Sequence, residues 1–122
     1  MKIRIKGNSV RIRITLSELK AFATHGMITE STCFGPSTMH YKLVTKESND
    51  GLSATFENNT VTMFMPKADA DVWTSTDRIT YDNKMDIGAG ETMYLLLEKD
   101  FVCLDHTHED QSDMFPNPNK HC

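Results

Sequence analysis

Apolar and polar residues alternate along the first fourteen positions. Ile3 and Ile5, then Val10, Ile12 and Ile14, are separated by polar and mostly basic side chains. A period of two marks half-buried strands, because successive side chains point to opposite faces. Gly7 and Asn8 between the two arms both tolerate positive φ and predict a tight hairpin turn. The period changes at Thr15. Leu16, Leu19, Phe22 and Ala23 share one helical stripe, and "TLSE" over 15–18 has the spacing of a capping box. Gly26 is placed to end that helix. "MITESTCF" (27–34) and "TMHYKLVT" (38–45) predict two more strands around Gly35-Pro36. The unit is β-β-α-β-β.

The pattern then recurs. "LSATFENNTVTMFMPKADADVWTSTDRIT" aligns without a gap on "MKIRIKGNSVRIRITLSELKAFATHGMIT", so that Val61 follows Val10 by 51 residues. At that offset Met63 and Met65 match Ile12 and Ile14, Asp69 matches Glu18, Trp73 matches Phe22 and Ile79 matches Ile28. "TMYLLL" matches "TMHYKL" at an offset of 54, with only the preceding loop changed in length. Two such amphipathic units each expose an apolar face alone and bury it together. The expectation is one domain over 1–122, β-rich α+β. It holds a duplicated β-β-α-β-β unit (1–46 and 52–101) forming a barrel-like, pseudo-two-fold core, and a polar tail over 104–122. In that tail, Phe115 or Leu104 is the expected docking point.

Composition narrows the class. A chain of 122 residues with 39% hydrophobic and 25% charged side chains suits one globular domain. No apolar run approaches the length of a bilayer span, and no signal-peptide pattern precedes the strands. A cytoplasmic protein is expected, and three cysteines in no recognisable framework fit a reducing compartment. The net charge of −4 argues against general nucleic-acid affinity. Its distribution is polar: residues 1–20 hold six basic side chains and one acid, whereas residues 98–122 hold six acids and two lysines.

The stretches "SVRIRITLSELKAF" and "TVTMFMPKADADVW" resemble the swapped-hairpin unit of AbrB/MazE-type transition-state regulators and antitoxins, with Pro66 where that family has a proline at the helix start. The resemblance implies strands interleaved into one barrel, here within a single chain, and brings in DNA binding. The family's usual Gly-Arg before the second strand is missing, and Thr15 replaces the proline in the first unit. The chain as a whole is similar to an uncharacterised bacterial family of small proteins, a domain of unknown function. That likeness rests on "NSVRIRIT", "LSATFENNTV", "LEKDFVCL" and "EDQSDMFPNP". It implies no activity.

The basic hairpin has an electrostatic defect. A two-residue turn pairs Ile5 with Val10 and Ile3 with Ile12, so Arg4 opposes Arg11 and Lys2 opposes Arg13. Like charges in direct opposition cost roughly 0.2–1 kcal/mol per pair. The second unit pairs Thr55 with Thr62 and Ser53 with Phe64 at the same places, so the fold does not need these charges. Residues that break a local rule without a folding reason are candidates for function. Lys2, Arg4, Arg11 and Arg13 therefore form a candidate anion site. Two structural readings compete with it: protection of a strand edge, and cover by the acidic tail.

"CLDHTHEDQSD" (103–113) gathers thiol, imidazole and carboxylate groups. Cys103, His106 and His108 have zinc-ligand chemistry at close spacing but match no regular zinc motif. Buried Cys103 and a solvated acidic tail make the structural alternative. No nucleophile elbow, phosphate loop or dinucleotide fingerprint occurs. "DIGAGE" (86–91) reads as turn chemistry, and Trp73 as core.

The favoured function is a non-enzymatic binding module for an anionic small molecule or an acidic protein surface. The alternatives are a metal-binding protein or metal-dependent hydrolase using 103–113, with zinc the one cofactor suggested, and a DNA-binding regulator of the swapped-hairpin type. Nucleic acid is the less favoured partner, no membrane is expected, and the chain is expected to be a monomer or weak homo-oligomer.

Overall fold

The structure is a computed structural model that describes residues 1–101 and 112–116. The first half runs β1 (Lys2–Lys6), β2 (Ser9–Ile14), α1 (Leu16–His25), β3 (Met27–Cys33) and β4 (Thr38–Lys46). The second runs β5 (Ser53–Glu57), β6 (Thr60–Pro66), α2 (Lys67–Ser75), β7 (Thr80–Gly88) and β8 (Glu91–Lys99).

The strands form two four-stranded sheets, in the orders β1-β2-β8-β7 and β3-β4-β6-β5. Each sheet takes one hairpin from each half of the chain. The hairpins are antiparallel, and they join through parallel central pairs, β2 with β8 and β4 with β6. Val10 lies opposite Leu95, and Val61 lies opposite Tyr41. The Tyr94 amide donates to Asn8 O at 3.0 Å, and the His40 amide donates to Asn59 O at 2.9 Å.

The expected barrel is corrected: no ladder among the described residues joins one sheet to the other. Side chains meet the neighbouring edges instead. Asn83 Nδ2 donates to Leu52 O at 2.8 Å, and the Ala54 amide points at Met85 Sδ at 3.4 Å. Between the sheets lies one apolar core. Val10, Ile12, Ile14, Leu95 and Leu97 come from one sheet, and Leu43, Met63 and Met65 from the other. Leu52 ahead of β5, Leu19 and Phe22 of α1, and Ala70 and Trp73 of α2 complete it. The Phe22 and Trp73 rings meet edge to face, 6.2 Å apart at 74°.

Local chemistry explains the boundaries. Gly7 takes φ 52° alone in the first turn, whereas Asn58 and Asn59 both take positive φ in the second (52° and 59°). The first hairpin is thus of type II′ and the second of type I′, both matched to strand twist. Thr15 and Glu18 form the expected capping box, and Gly26 at φ 72° closes α1. Pro66 precedes α2 with no side-chain cap.

One expected correspondence fails. Ile28 lies opposite Leu43, but the residue opposite Leu97 is Tyr81 rather than Ile79. The connection after α2 is longer than the single Gly26 after α1, so a gapless alignment slips by two residues there.

Candidate functional site

Burial alternates along β2 and β8 and assigns their faces. Val10, Ile12 and Ile14 point inward with Leu95 and Leu97. Arg11 and Arg13 therefore point outward, together with Tyr94, Leu96 and Glu98. The observed hairpin register is the expected one: Lys2 opposite Arg13, Ile3 opposite Ile12, Arg4 opposite Arg11 and Ile5 opposite Val10. All four basic candidates thus share the outer face of the first sheet.

They do not share one environment. Glu98 stands beside Arg13 in the β2–β8 register and receives Arg13 Nε at 2.5 Å. Arg11 Nε lies 3.7 Å from the same Glu98 oxygen. Lys2 Nζ lies 3.0 Å from the buried Asp100 carboxylate, just past the end of β8. Among the described residues no carboxylate comes within 4.0 Å of Arg4 or Lys6. Arg11 is held below the ordinary arginine range by burial and by Arg13 beside it, while Glu98 opposes that shift.

Arg4, Lys6, Arg11, Tyr94 and Leu96 surround a shallow depression of about 160 Å³. Tyr94 is oriented by its hydroxyl, which donates to Asp82 Oδ2 at 2.9 Å, and that bond raises its pKa. Tyr94, Leu96 and Glu98 are the members that inspection of the hairpin alone misses. They arrive from the last strand through a parallel pairing some 85 residues away in sequence. Their one local signal is the outward phase of "TMYLLLEK".

The described part of the tail meets the start of α1. Asp113 accepts the Leu16 amide on its main-chain oxygen at 2.9 Å and the Ser17 amide on Oδ1 at 3.0 Å. Its carboxylate also accepts from the Ser17 hydroxyl. The Ser17 hydroxyl first, then the Thr15 side chain, and the Ser17 amide lower the Asp113 pKa. Phe115 docks as expected: its amide donates to Asp100 O at 3.0 Å, and its ring lies 5.6 Å from that of Phe101.

The metal candidates Cys103, His106 and His108 lie outside the described residues. Among the described residues no group of three or more His, Cys, Asp or Glu side chains is arranged to hold a metal ion. No helix among them is long and apolar enough to cross a membrane.

A protein-family model matches residues 1–119, and its description is a family of unknown function. No curated protein and no solved structure matches the chain.

Proposed function

This chain belongs to a family of unknown function, DUF7009, and we propose that it is a non-enzymatic binding module whose outer basic face on β1 and β2 receives an anionic ligand. The observation that carries the reading is the Arg4–Arg11 pair. Two guanidinium-bearing side chains stand in direct register, and Arg4 has no carboxylate within 4.0 Å among the described residues. An arginine fork donates two parallel hydrogen bonds to a phosphoryl or carboxylate group, and an anion between two forks cancels their repulsion. Lys6 adds charge, and Tyr94 and Leu96 provide a wall to the same depression. Its volume of about 160 Å³ suits a single small anionic group.

A duplication of one β-β-α-β-β unit about a pseudo-two-fold axis is part of the same reading. Its support is the connectivity: exchanging β1–β4 with β5–β8 converts one sheet order into the other. Thr55 opposes Thr62 in the second hairpin as Arg4 opposes Arg11 in the first. The two units then share a scaffold, and only the first has been turned to anion binding.

The test is titration with inorganic pyrophosphate and a nucleoside diphosphate at low ionic strength. The wild-type chain is compared with Arg4→Ser and Arg11→Ser. Each charge-assisted bond lost is worth roughly 1.5–3 kcal/mol, so each variant should bind at least tenfold more weakly. Equal affinity in all three proteins refutes the anion site.

A further inference from the structure

A second concavity lies elsewhere, where the end of α2, the start of α1 and the end of β8 meet. It is a cleft of about 580 Å³ walled by Leu16, Leu19, Ile79, Phe101 and Phe115, with Lys99 among its lining. That volume falls within the roughly 300–1,000 Å³ typical of small-molecule sites, and Thr74, Ser75, Thr76 and Asp77 line the cleft beside its apolar wall.

Lys99 takes an inward position on β8 and is only 5% exposed. Its Nζ donates to Thr76 O at the end of α2, at 2.9 Å. It also lies 5.9 Å from the Trp73 ring centroid and 5.5 Å from that of Phe115. Among the described residues no carboxylate comes within 4.0 Å of this ammonium. Burial lowers its pKa from the ordinary lysine value, with Asp77 opposing that shift. A buried charge without a counter-ion is costly, and proteins pair such groups.

The scaffold does not require this charge. Lys99 lies opposite Ile14 in one sheet, and Thr45 lies opposite Met65 in the other. Thr45 Oγ1 donates to Gly26 O at 3.3 Å, at the end of α1. Each helix end thus receives a side-chain donor from the end of a strand, and at the first an uncharged hydroxyl serves, beside the Thr45 amide that donates to the same Gly26 oxygen at 2.9 Å. The positive charge at the second is not needed for such a bond, and Lys99 lines the cleft.

We propose that this cleft binds a small amphipathic carboxylate, its head on the Lys99 ammonium and its acyl or aryl body against Leu16, Leu19, Ile79, Phe101 and Phe115. The carboxylate supplies a counter-ion to Lys99, which has none among the described residues, and its body removes the apolar walls from water. Asp77 on the lining disfavours a second negative charge, so the site selects a singly charged ligand. Lys99 and Arg11 project from opposite faces of the same sheet, which makes this site independent of the basic face.

Octanoate is the probe, titrated calorimetrically into the full chain, with 1-octanol as its uncharged counterpart. Octanoate should bind with one-to-one stoichiometry and octanol at least tenfold more weakly. Lys99→Thr, which copies the first unit, should weaken octanoate at least tenfold and leave octanol within twofold. Lys99→Met keeps the side-chain volume and guards against a loss of folding in the shorter variant. The wild-type Lys99 pKa, followed by NMR, should rise when octanoate is added. Arg11→Ser should leave octanoate binding within twofold, so failure of the basic face and failure of the cleft read separately. The proposal is overturned by no saturable binding to the full chain, by equal affinity for octanoate and octanol, or by unchanged octanoate affinity in both Lys99 variants.

Discussion

Replacing Arg4 with threonine should make the protein more stable, although it removes a side chain from a formed hairpin. Arg4 lies directly opposite Arg11, and no carboxylate among the described residues comes within 4.0 Å of it. Removing one of two opposed like charges recovers roughly 0.2–1 kcal/mol. Threonine is also a better strand residue, and Thr55 occupies the matching place in the second hairpin. The gain corresponds to a rise in Tm of about 1–5 °C for a chain of this size. Arg13→Thr should have the opposite sign. Arg13 reaches Glu98 at 2.5 Å, and Glu98 is 18% exposed, so its loss leaves a half-buried carboxylate with only the 3.7 Å contact from Arg11. Because Arg13 itself is 38% exposed, solvent screening reduces the cost to roughly 1 kcal/mol. Urea unfolding at 20 mM and 1 M NaCl measures both variants. The Debye length shrinks to about 3 Å at 1 M, so the electrostatic part of the Arg4→Thr gain should fade there. Combining Arg4→Thr with Arg11→Thr in a double-mutant cycle isolates the pair term, which should be repulsive. Destabilisation by Arg4→Thr beyond about 0.5 kcal/mol, or an attractive pair term, refutes the reasoning.

Two further outcomes follow from the core and the tail. Trp73→Ala empties a fully buried position against Phe22 and removes the 3.0 Å bond from Trp73 Nε1 to the Ile79 carbonyl, which keeps its bond from the Lys99 amide, so a loss of about 3–5 kcal/mol is expected by chemical denaturation. Asp113 has a folded-state pKa below its unfolded value, so its contribution is present above the unfolded carboxylate pKa and disappears as pH falls through the folded one. Asp113→Asn should therefore lower stability at pH 7 and flatten its decline on acidification. A pH profile superimposable on wild type would show that the bonds to Ser17 contribute nothing.

Contacts closed within a few residues were legible in advance. The two-residue turn set the partners of Ile3 and Ile5, and with them the opposition of Arg4 and Arg11. Thr15 and Glu18 announced the start of α1, and Gly26 its end. The slip at Tyr81 shows where that legibility stopped. The two connections after the helices differ in length, and residue pattern alone does not mark that difference. Glu98 was counted among the acids of the C-terminal region, whereas its position in β8 sets it against Arg13.

What the amino-acid order determined by itself was the set of amphipathic elements and the outward direction of the basic side chains. Strand period, turn residues and caps act over distances of a few residues, and each carries its information locally. Tertiary structure alone decided that β2 takes β8 as its second neighbour, that two sheets form in place of a barrel, and that Asp113 crosses the chain to cap α1. It also decided that Lys99 is buried beside Trp73 and Phe115. A strand with alternating sides accepts any partner of matching phase, and an inward lysine reads like any other until its neighbours are in place. Those choices are settled by burial of one shared core, a property of the whole chain that no single segment contains.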